Sequence, residues 1–458
     1  MIHRSAAWAA GLCLAVAVCP GPAHGQSLDS TLPPTAAGLA EVARGHEAAR
    51  RWEDAFQTWM KVLAADRAYP DARDRLAACL RNALQVHRHR DPAMLARVMA
   101  MSQTEVLALY GEVLTKVQAY YVDPEKVTTV RLFRQGLDEY LAALGDPAFV
   151  ERYSKGVDKG AVAKFRQNLQ TAWASSDVLT PRQAVEIVSA VAAQSRDTLK
   201  LRSIHPIVCE FICGACNSLD EHSSFVSGFA TKPEAAGQSV VLRPVDENIL
   251  FLRITHFHGG TPQEVADAVK PFGMARRAQA LVLDLRGNPG GSFTAAVKTA
   301  ELFLPGGIIV TAQGPHEEVN KVYTSFSGAG ATNLPMVVLV DGDTASAAEV
   351  LAVALRDNGR AKLIGTATFG KGSVQNVVAF STAEETDPAG KPRPRAAVRI
   401  TLARLLGPTG TPIAGGVTPD HLIADRDRQD ELALDHAREL ARSPGLRMGM
   451  SPLPMTRP

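Results

Sequence analysis

A serine with little bulk around it stands at position 346, in the stretch DGDTASAAEV (341–350). The apolar run PMVVLV before this stretch predicts a buried strand, and LAVAL after it continues as a helix. A sharp strand-to-helix turn can present a serine as a nucleophile. Serine is also favoured as an ordinary helix N-cap, so this stretch alone leaves two interpretations of Ser346 open.

A lysine follows in TATFGKGSVQN (366–376), directly after another apolar strand pattern. Lys371 lies between Gly370 and Gly372, which a solvated lysine does not need and a lysine in a crowded pocket does. Burial disfavours the charged ammonium, so such a lysine could act as a general base. A Ser–Lys pair is a variant of the Ser–His–Asp arrangement, and Gln375 could hold the amine by a hydrogen bond.

Three glycines occur in DLRGNPGGSF (284–293), between a buried strand and a helix. Bare backbone N–H groups there would suit an oxyanion hole if those of Gly290 or Gly291 point at the reacting carbonyl oxygen. A tight strand-to-helix turn explains the same glycines without chemistry. A phosphate cradle would be followed by a Walker lysine, which this stretch lacks.

A histidine-based triad is the competing arrangement for Ser346. His256 and His258 lie two residues apart in ITHFHGG and therefore share one face of a strand. No motif places either of them against Ser346, so we interpret them as strand-end residues.

The chain after residue 229 alternates between strand and helix patterns. The strand patterns are QSVVLRPV, ILFLRITHF, QALVLDLRG, MVVLV and AKLIGT, and the helix patterns include SFTAAVKTAELFL and SAAEVLAVALRDN. This alternation predicts a sheet with parallel segments and helical cover. In TPQEVADAVKPF, Thr261 is predicted to cap a helix and Glu264 to close its capping box.

The chain before residue 229 is mostly helical in pattern. Residues 37–88 carry Trp52, Phe56, Trp59 and Leu63 at helical spacing, and the segment resembles one tetratricopeptide unit. A generic helical hairpin packed on the next domain explains it equally well. Residues 102–200 again show helical patterns with solvated polar faces.

The composition and the N-terminal segment limit the classes of protein to which the chain can belong. The chain has 458 residues, 46% hydrophobic and 21% charged, and a net charge of +2 gives no basic field that would favour nucleic acid. Arg4, the short apolar run 6–18 and the small residues Ala23 and Gly25 predict a secretory signal peptide over 1–25. That run is too short to span a bilayer, and no other segment is long and apolar enough.

Cleavage after the signal leaves four cysteines: Cys79, Cys209, Cys213 and Cys216. An oxidising compartment would permit disulfides, with three pairings open. The last three lie at i, i+4 and i+7 on one helix face, and only His222 is near as a further metal ligand. We therefore favour buried structural cysteines over a metal site.

Taken in order, the stretches above resemble the C-terminal processing peptidases, also called tail-specific proteases. The resemblance covers about residues 215–425 and includes SLDEHSSF (218–225) and RITLARLLGPTGTPIAGGVTPD (399–420) at its two ends. LVLDLRGNPGGSF is similar to the family's oxyanion loop, and VLVDGDTASAAEVLAVALRDN to its nucleophile segment. GTATFGKGSVQ is similar to its lysine segment. The separation of Ser346 and Lys371 along the chain is the family's spacing, and Gln375 follows the lysine at i+4.

The resemblance implies a secreted or periplasmic serine endopeptidase with a Ser–Lys dyad. Ser346 would be the nucleophile, Lys371 the general base and Gln375 the residue that orients the lysine. The implied fold is a crotonase/Clp-protease-like α/β core, a mixed sheet with helices, behind an all-α N-terminal region. No cofactor and no metal are implied.

The resemblance also implies the surroundings of the nucleophile. The N–H groups of Ala347 and of Gly290 or Gly291 would form the oxyanion hole. Glu349, one helical turn after Ser346, matches a family position and is expected to support the site. The implied substrates are unfolded or C-terminal segments of polypeptides, without nucleic acid or a membrane span, and a homodimer through the helical region is left open.

The sequence departs from the family between residues 226 and 248. Family members usually carry a PDZ domain at this position, but the segment 226–248 is too short for a compact domain. We therefore expect a form without the PDZ domain. Two other functions stay open, a non-catalytic binding protein on the same fold and an acyl-CoA enzyme of the crotonase type.

The expected organisation has five parts. They are a signal peptide (1–25), a helical hairpin region (26–95), a helical domain leading into the core (96–228), the Ser–Lys peptidase core (229–430) and a C-terminal tail (431–458).

Overall fold

The structure is a computed structural model. It describes residues 35–66, 68–154, 156–173, 180–227, 237–274, 278–326, 332–382, 384–386 and 392–442. The predicted signal peptide and the end of the predicted tail lie outside these residues. Among the described residues, no helix combines the length and apolar character needed to cross a bilayer.

The helices before residue 218 alternate with short connections. They are α1 (Ala36–Ala48), α2 (Trp52–Ala65), α3 (Ala72–Arg90), α4 (Pro92–Met99), α5 (Gln103–Tyr120), α6 (Thr129–Leu144), α7 (Pro147–Tyr153), α8 (Lys159–Trp173), α9 (Pro181–Leu199) and α10 (His205–Asn217).

Strands and helices alternate in the rest of the chain. The strands are β1 (Ser224–Ser227), β2 (Val240–Pro244), β3 (Ile249–Ile254), β4 (Ala280–Asp284), β5 (Gly307–Gln313), β6 (Lys321–Ser325), β7 (Met336–Val340), β8 (Ala361–Gly365), β9 (Ser373–Ala379), β10 (Glu384–Thr386), β11 (Pro392–Pro394), β12 (Ala396–Leu406) and β13 (His421–Leu422). The helices are α11 (Thr261–Met274), α12 (Phe293–Phe303), α13 (Ala347–Asp357) and α14 (Arg426–Arg442). The predicted class, an α/β core with a mixed sheet behind an all-α region, is confirmed.

The chain divides into two compact units. Of the described residues, the helical unit comprises those within 35–227 and 375–401, and the α/β unit those within 237–374 and 402–442. The segment Gln375–Thr401 thus groups with the helices, although it follows most of the α/β core in sequence. The five predicted domain boundaries stay predictions.

A buried ionic cluster joins three helices of the helical unit. Arg88 of α3 binds Glu139 of α6 at 2.9 Å and Glu210 of α10 at 2.6 Å, and His89 lies 3.2 Å from Glu210. Burial raises the pKa of Glu210, but Arg88 and His89 outweigh this and lower it to about 2. Loss of one partner would leave an uncompensated buried charge, so the three helices depend on one another at this cluster.

The four cysteines of the described residues are buried and carry no disulfide. Cys209, Cys213 and Cys216 lie within α10, whose described side chains are almost all buried. They fill the interior of the helical unit, as small apolar side chains do.

The segment Gln375–Thr401 is bound to α5. The Glu112 carboxylate accepts hydrogen bonds from Ser381 and Thr382, and the Lys116 ammonium donates to the Ala379 carbonyl at 2.5 Å. The Phe380 ring stacks on Phe225, with centroids 6.2 Å apart. In the same unit, β1 pairs antiparallel with the first residues of β12.

The α/β unit is built on a six-stranded sheet of order β13-β8-β7-β4-β3-β2. Its strands are parallel except for β2, which pairs antiparallel with β3. The central strands β4 and β7 are buried at every residue, because α11, α12 and α13 cover one face and α14 the other. This is why their sequences are continuously apolar. In the same unit, β5 pairs antiparallel with the end of β12 on one side and with β6 on the other.

The helix prediction around Glu264 is wrong in one detail. Its carboxylate accepts from the Ser239 N–H and hydroxyl instead of closing a capping box on Thr261, whose own N–H donates to the His258 carbonyl. The long Glu264 side chain reaches the residue before β2, a long-range contact that the local pattern could not indicate.

Candidate active site

Four loops of the α/β unit leave the carboxyl ends of adjacent parallel strands. The loop 255–260 follows β3, 285–292 follows β4, 341–346 follows β7 and 366–372 follows β8. Because the four strands are neighbours in the sheet, the loops meet at one edge, which is where open α/β sheets bind ligands. The candidate residues Gly290, Gly291, Ser346 and Lys371 all lie in these loops.

Ser346 is held in a strained conformation at the turn between β7 and α13. Its φ is 55° and its ψ is −117°, and positive φ is uncommon for a residue other than glycine. The side chain is partly exposed, while Ala347 and Ala348 behind it are buried. A sharp strand-to-helix turn of this kind can leave a serine hydroxyl open to a bound group.

Glu349 connects the serine turn to the lysine loop. It is fully buried, and its Oε2 accepts hydrogen bonds from the backbone N–H of Ser346 and of Lys371, each at 2.8 Å. Its Oε1 accepts from the Gly370 N–H at 2.7 Å and from the Thr368 hydroxyl at 2.5 Å. Burial raises the pKa of Glu349 and outweighs these four donors. A single carboxylate oxygen therefore bridges the backbones of Ser346 and Lys371.

Gly290 packs directly against the nucleophile turn. Its φ is 97°, and a Cβ there would lie 2.7 Å from the Ala345 carbonyl oxygen, 2.9 Å from the Ser346 Cβ and 3.0 Å from the Ala347 nitrogen. Gly291 has a φ of 129°, and a Cβ there would lie 2.1 Å from the Phe257 carbonyl oxygen. Side chains at these two positions are excluded by contact as well as by backbone conformation.

The backbone donors around Ser346 differ in what they bind. The Gly290 N–H donates to the Asn288 Oδ1 at 2.9 Å. The Gly291 and Ala347 N–H groups have no acceptor among the residues that the structure describes. The Ala347 N–H, directly after Ser346, and the Gly291 N–H are therefore available to a bound group, whereas the Gly290 N–H is already used.

The glycines beside Lys371 allow close packing of backbone on backbone. A Cβ at Gly370 would lie 2.6 Å from the Gly416 nitrogen, and one at Gly372 would lie 2.3 Å from the Ala414 nitrogen. The loop is also tied to the nucleophile turn, because the Phe369 N–H donates to the Thr344 carbonyl at 3.0 Å. The sequence predicted a crowded pocket for Lys371. The close contacts that the structure shows are those of the loop backbone on either side of this residue.

Gln375 lies in the helical unit, whereas the other candidate residues lie in the α/β unit. Its Nε2 donates to the hydroxyl of the buried Thr401 at 3.2 Å. The Thr401 N–H in turn donates to the Ser223 hydroxyl, within the SLDEHSSF stretch.

Three residues that the sequence analysis did not single out hold the loops together. The Asn288 carbonyl accepts from the Ala345 N–H at 2.9 Å, and the Asp341 Oδ1 accepts from the Gly287 N–H at 2.9 Å. The buried Thr344 hydroxyl donates to the Leu285 carbonyl at 3.0 Å. Their only sequence signal is a polar residue close after a buried strand, which is common in turns.

The two histidines of the competing arrangement lie close to each other, with ring centroids 5.4 Å apart. The His258 Nδ1 accepts from the Gly260 N–H, and the His256 Nδ1 lies 3.0 Å from the Thr255 hydroxyl. Within the described residues neither ring is hydrogen-bonded to Ser346. Nor do the described residues contain a group of three or more His, Cys, Asp or Glu side chains that could hold a metal ion.

Comparisons with known proteins agree on this part of the chain. Residues 248–423 match the family described as Peptidase family S41. A carboxy-terminal-processing protease of Bartonella bacilliformis is 35% identical over 183 residues, 39% of this chain and 39% of that protein. A carboxyl-terminal-processing protease of Synechocystis is 36% identical over 181 residues, 39% of this chain and 38% of that protein. The chain thus aligns with less than half the length of these relatives.

A solved structure, the photosystem II D1 C-terminal processing protease, aligns with 77% of this chain and 99% of its own. The TM-score is 0.39 and the identity 19%. The family match covers β3 through β13 and includes the four loops and every α/β-unit candidate named above. Residues 248–423 of this chain, which hold the four loops, are therefore similar in sequence to peptidase family S41.

Proposed function

We propose that this protein is a serine endopeptidase that uses Ser346 as nucleophile and Lys371 as general base. The observation that carries the proposal is the Glu349 carboxylate, which binds the backbone N–H of both residues. A buried side chain that joins two loops in this way holds their backbones together, and so limits where the side chains of both residues can reach. The sequence spacing of the two residues and the family match support the same assignment.

The proposed reaction begins with the Ser346 hydroxyl. Its Oγ attacks the carbonyl carbon of the scissile peptide bond while its proton passes to the neutral Lys371 amine. The tetrahedral intermediate collapses, the C–N bond breaks, and the leaving amine takes the proton from Lys371. Water then attacks the acyl-enzyme with Lys371 again as base, which releases the acid and restores the serine.

The proposed oxyanion hole uses the N–H groups of Gly291 and Ala347. Both lack an acceptor in the described residues, and Ala347 opens α13, whose N-terminal dipole favours negative charge. Gly290, whose N–H donates to Asn288, contributes by allowing the close approach to Ser346. We propose that Gln375 orients the lysine amine, as the family resemblance implies.

The proposed substrates are unfolded or C-terminal segments of other proteins. The relatives named above are processing proteases that act at carboxyl termini by their names. The signal peptide predicted from the sequence supports a periplasmic or secreted enzyme. We propose a form without a PDZ domain, and a homodimer through the helical region stays open.

Lys371→Arg tests the dyad. Arginine keeps the positive charge but does not lose its proton near neutral pH, so we expect turnover of a casein-type substrate to fall at least about a hundredfold, the lower range of a lost general base. Lys362→Arg is the matched control, because Lys362 is an exposed lysine of β8 that pairs with Asp420. If Lys371→Arg keeps turnover within a few-fold of the unchanged enzyme, Lys371 is not the base.

A further inference from the structure

The backbone of Phe257 holds the glycine loop from the side. The Phe257 N–H donates to the Gly290 carbonyl at 2.8 Å, and the Ser292 N–H donates to the Phe257 carbonyl at 2.8 Å. These two bonds lie on either side of Gly291 and turn its own N–H away from Phe257. The direction of the Gly291 N–H therefore depends on where the loop 255–260 lies.

A second network fixes the loop 255–260. The Glu264 Oε2 accepts from the Ser239 N–H and from the Ser239 hydroxyl, each at 2.9 Å. Its Oε1 lies 3.0 Å from the His258 Nε2. The Thr261 hydroxyl accepts from the His258 N–H and contacts the Ser239 hydroxyl at 2.8 Å, and Ser239 and Thr261 are fully buried. Glu264 thus ties the loop to the residue that precedes β2.

The hydrogen bonds of His258 determine which side of its ring faces Glu264. The His258 Nδ1 accepts from the Gly260 N–H at 3.1 Å, so the proton of the neutral ring is on Nε2. The His258 Nε2 lies close to the Glu264 carboxylate, but its N–H is not aligned with the oxygen. The contact between the two side chains is therefore mainly electrostatic. Burial raises the pKa of Glu264, but the Ser239 donors and His258 outweigh this and lower it. Glu264 is therefore ionised where it meets His258.

We propose that Glu264 is a positioning residue for the oxyanion hole. Through His258 it holds Phe257 against Gly290–Ser292, so that the Gly291 N–H stays aimed at the oxygen on which negative charge develops. The inference rests on the proposed peptidase function and adds to it a residue of α11, one helical turn from the loop. An oxyanion donor that moves by a fraction of an ångström loses much of its effect on the transition state.

Kinetics of Glu264→Ala provide the first test. We expect kcat to fall about tenfold with KM within about twofold, because a donor aimed at the oxyanion acts in the transition state. Gln263→Ala is the matched control, since Gln263 precedes Glu264 on α11 and donates to the exposed Asp267. His258→Ala should reduce kcat similarly, and the double variant should be no worse than the more damaged single one. Additive effects, or an unchanged kcat in a folded Glu264→Ala protein, would overturn the proposal.

Hydrogen exchange provides a test that does not depend on activity. In a Ser346→Ala background, Glu264→Ala should speed amide exchange in the peptide covering 287–293 several-fold, and Gln263→Ala should not. If Glu264→Ala does not fold, Glu264→Gln replaces it, because the amide cannot accept from Ser239 and face His258 with an acceptor at once. Unchanged exchange overturns the positioning role whatever the activity. If exchange is faster but the protein with Ser346 intact has no peptidase activity, the loop contact stands and only the proposed function is rejected.

Discussion

Glu349 shows how much of the site depends on one buried side chain. Its two oxygens accept four hydrogen bonds, from Ser346, Thr368, Gly370 and Lys371. The family resemblance implied a supporting role for Glu349, but the sequence did not indicate its contacts with the lysine loop. It also left Gly290 and Gly291 equivalent as donors, because their difference arises from Asn288, which folds back on Gly290. Which glycine N–H stays free depends on the direction of the Asn288 side chain, and a sequence motif gives no information on side-chain direction.

Glu349→Gln should separate the serine turn from the lysine loop. The amide has one acceptor oxygen and an NH2 group that faces backbone donors, so at least one buried N–H loses its partner, at a cost of about 1–3 kcal/mol. We expect kcat on a casein-type substrate to fall tenfold or more while the circular dichroism spectrum is kept. Glu301→Gln, on the partly exposed part of α12, is the control. Activity close to that of the control would show that the carboxylate does not hold the site.

The elements of the α/β unit were predictable because their patterns are strong. β4 and β7 are continuously apolar and lie in the middle of the parallel sheet, as the sequence indicated. The place of the segment Gln375–Thr401 was not predictable. It binds α5 through pairs such as Glu112 and Ser381, which are 269 residues apart, and no local period reports a contact of that range.

The pH dependence of stability tests how α5 holds this segment. Glu112 accepts four hydrogen bonds, from the N–H and hydroxyl of Ser381 and of Thr382, at 2.6–2.9 Å. Burial raises the pKa of Glu112, but these donors outweigh it and lower the pKa to about 2. A carboxylate with a lowered folded-state pKa stabilises the protein above its unfolded pKa of about 4.3, and this stabilisation is lost as the pH falls toward 2.

Glu112→Gln should therefore cost stability at neutral pH and less in acid. Allowing for solvent screening of a partly exposed group, we expect the free energy of unfolding to fall by about 1–2 kcal/mol at pH 7. The difference from the unchanged protein should shrink between pH 4.5 and pH 3 in urea titrations. Glu186→Gln, which removes an exposed pair with Arg182, should show no such trend. A pH-independent difference for Glu112→Gln would contradict the assignment.

At the scale of the whole molecule, the shortness of the chain between 226 and 248 bears on substrate choice. This segment is too short for a compact PDZ domain, which would bind a free carboxylate by strand addition. We propose instead that an extended peptide binds beside an exposed strand edge, a mode that takes its affinity from main-chain hydrogen bonds. Such binding accepts internal segments as well as tails. We therefore predict that the substrate's terminal carboxylate is not required.

Three forms of one disordered substrate test this prediction: a free tail, an amidated tail and a tail fused to a folded domain. We expect similar initial cleavage rates for all three, because none of the expected contacts involves the terminal carboxylate. A loss of more than about tenfold on amidation, about 1.4 kcal/mol, would mean that a carboxylate site exists elsewhere in the chain.

The central claim is that Ser346 is a nucleophile activated by Lys371, and covalent labelling tests it most directly. The full chain is incubated with a serine-directed phosphonate probe, and the adduct is located by mass spectrometry of the digested protein. We predict one adduct, on Ser346. It should be absent from Ser346→Ala and at least about tenfold slower to form in Lys371→Arg, because arginine cannot take up the serine proton. An adduct on another residue, equal labelling of Ser346→Ala, or unlabelled Ser346 in a protein that cleaves casein would contradict the account.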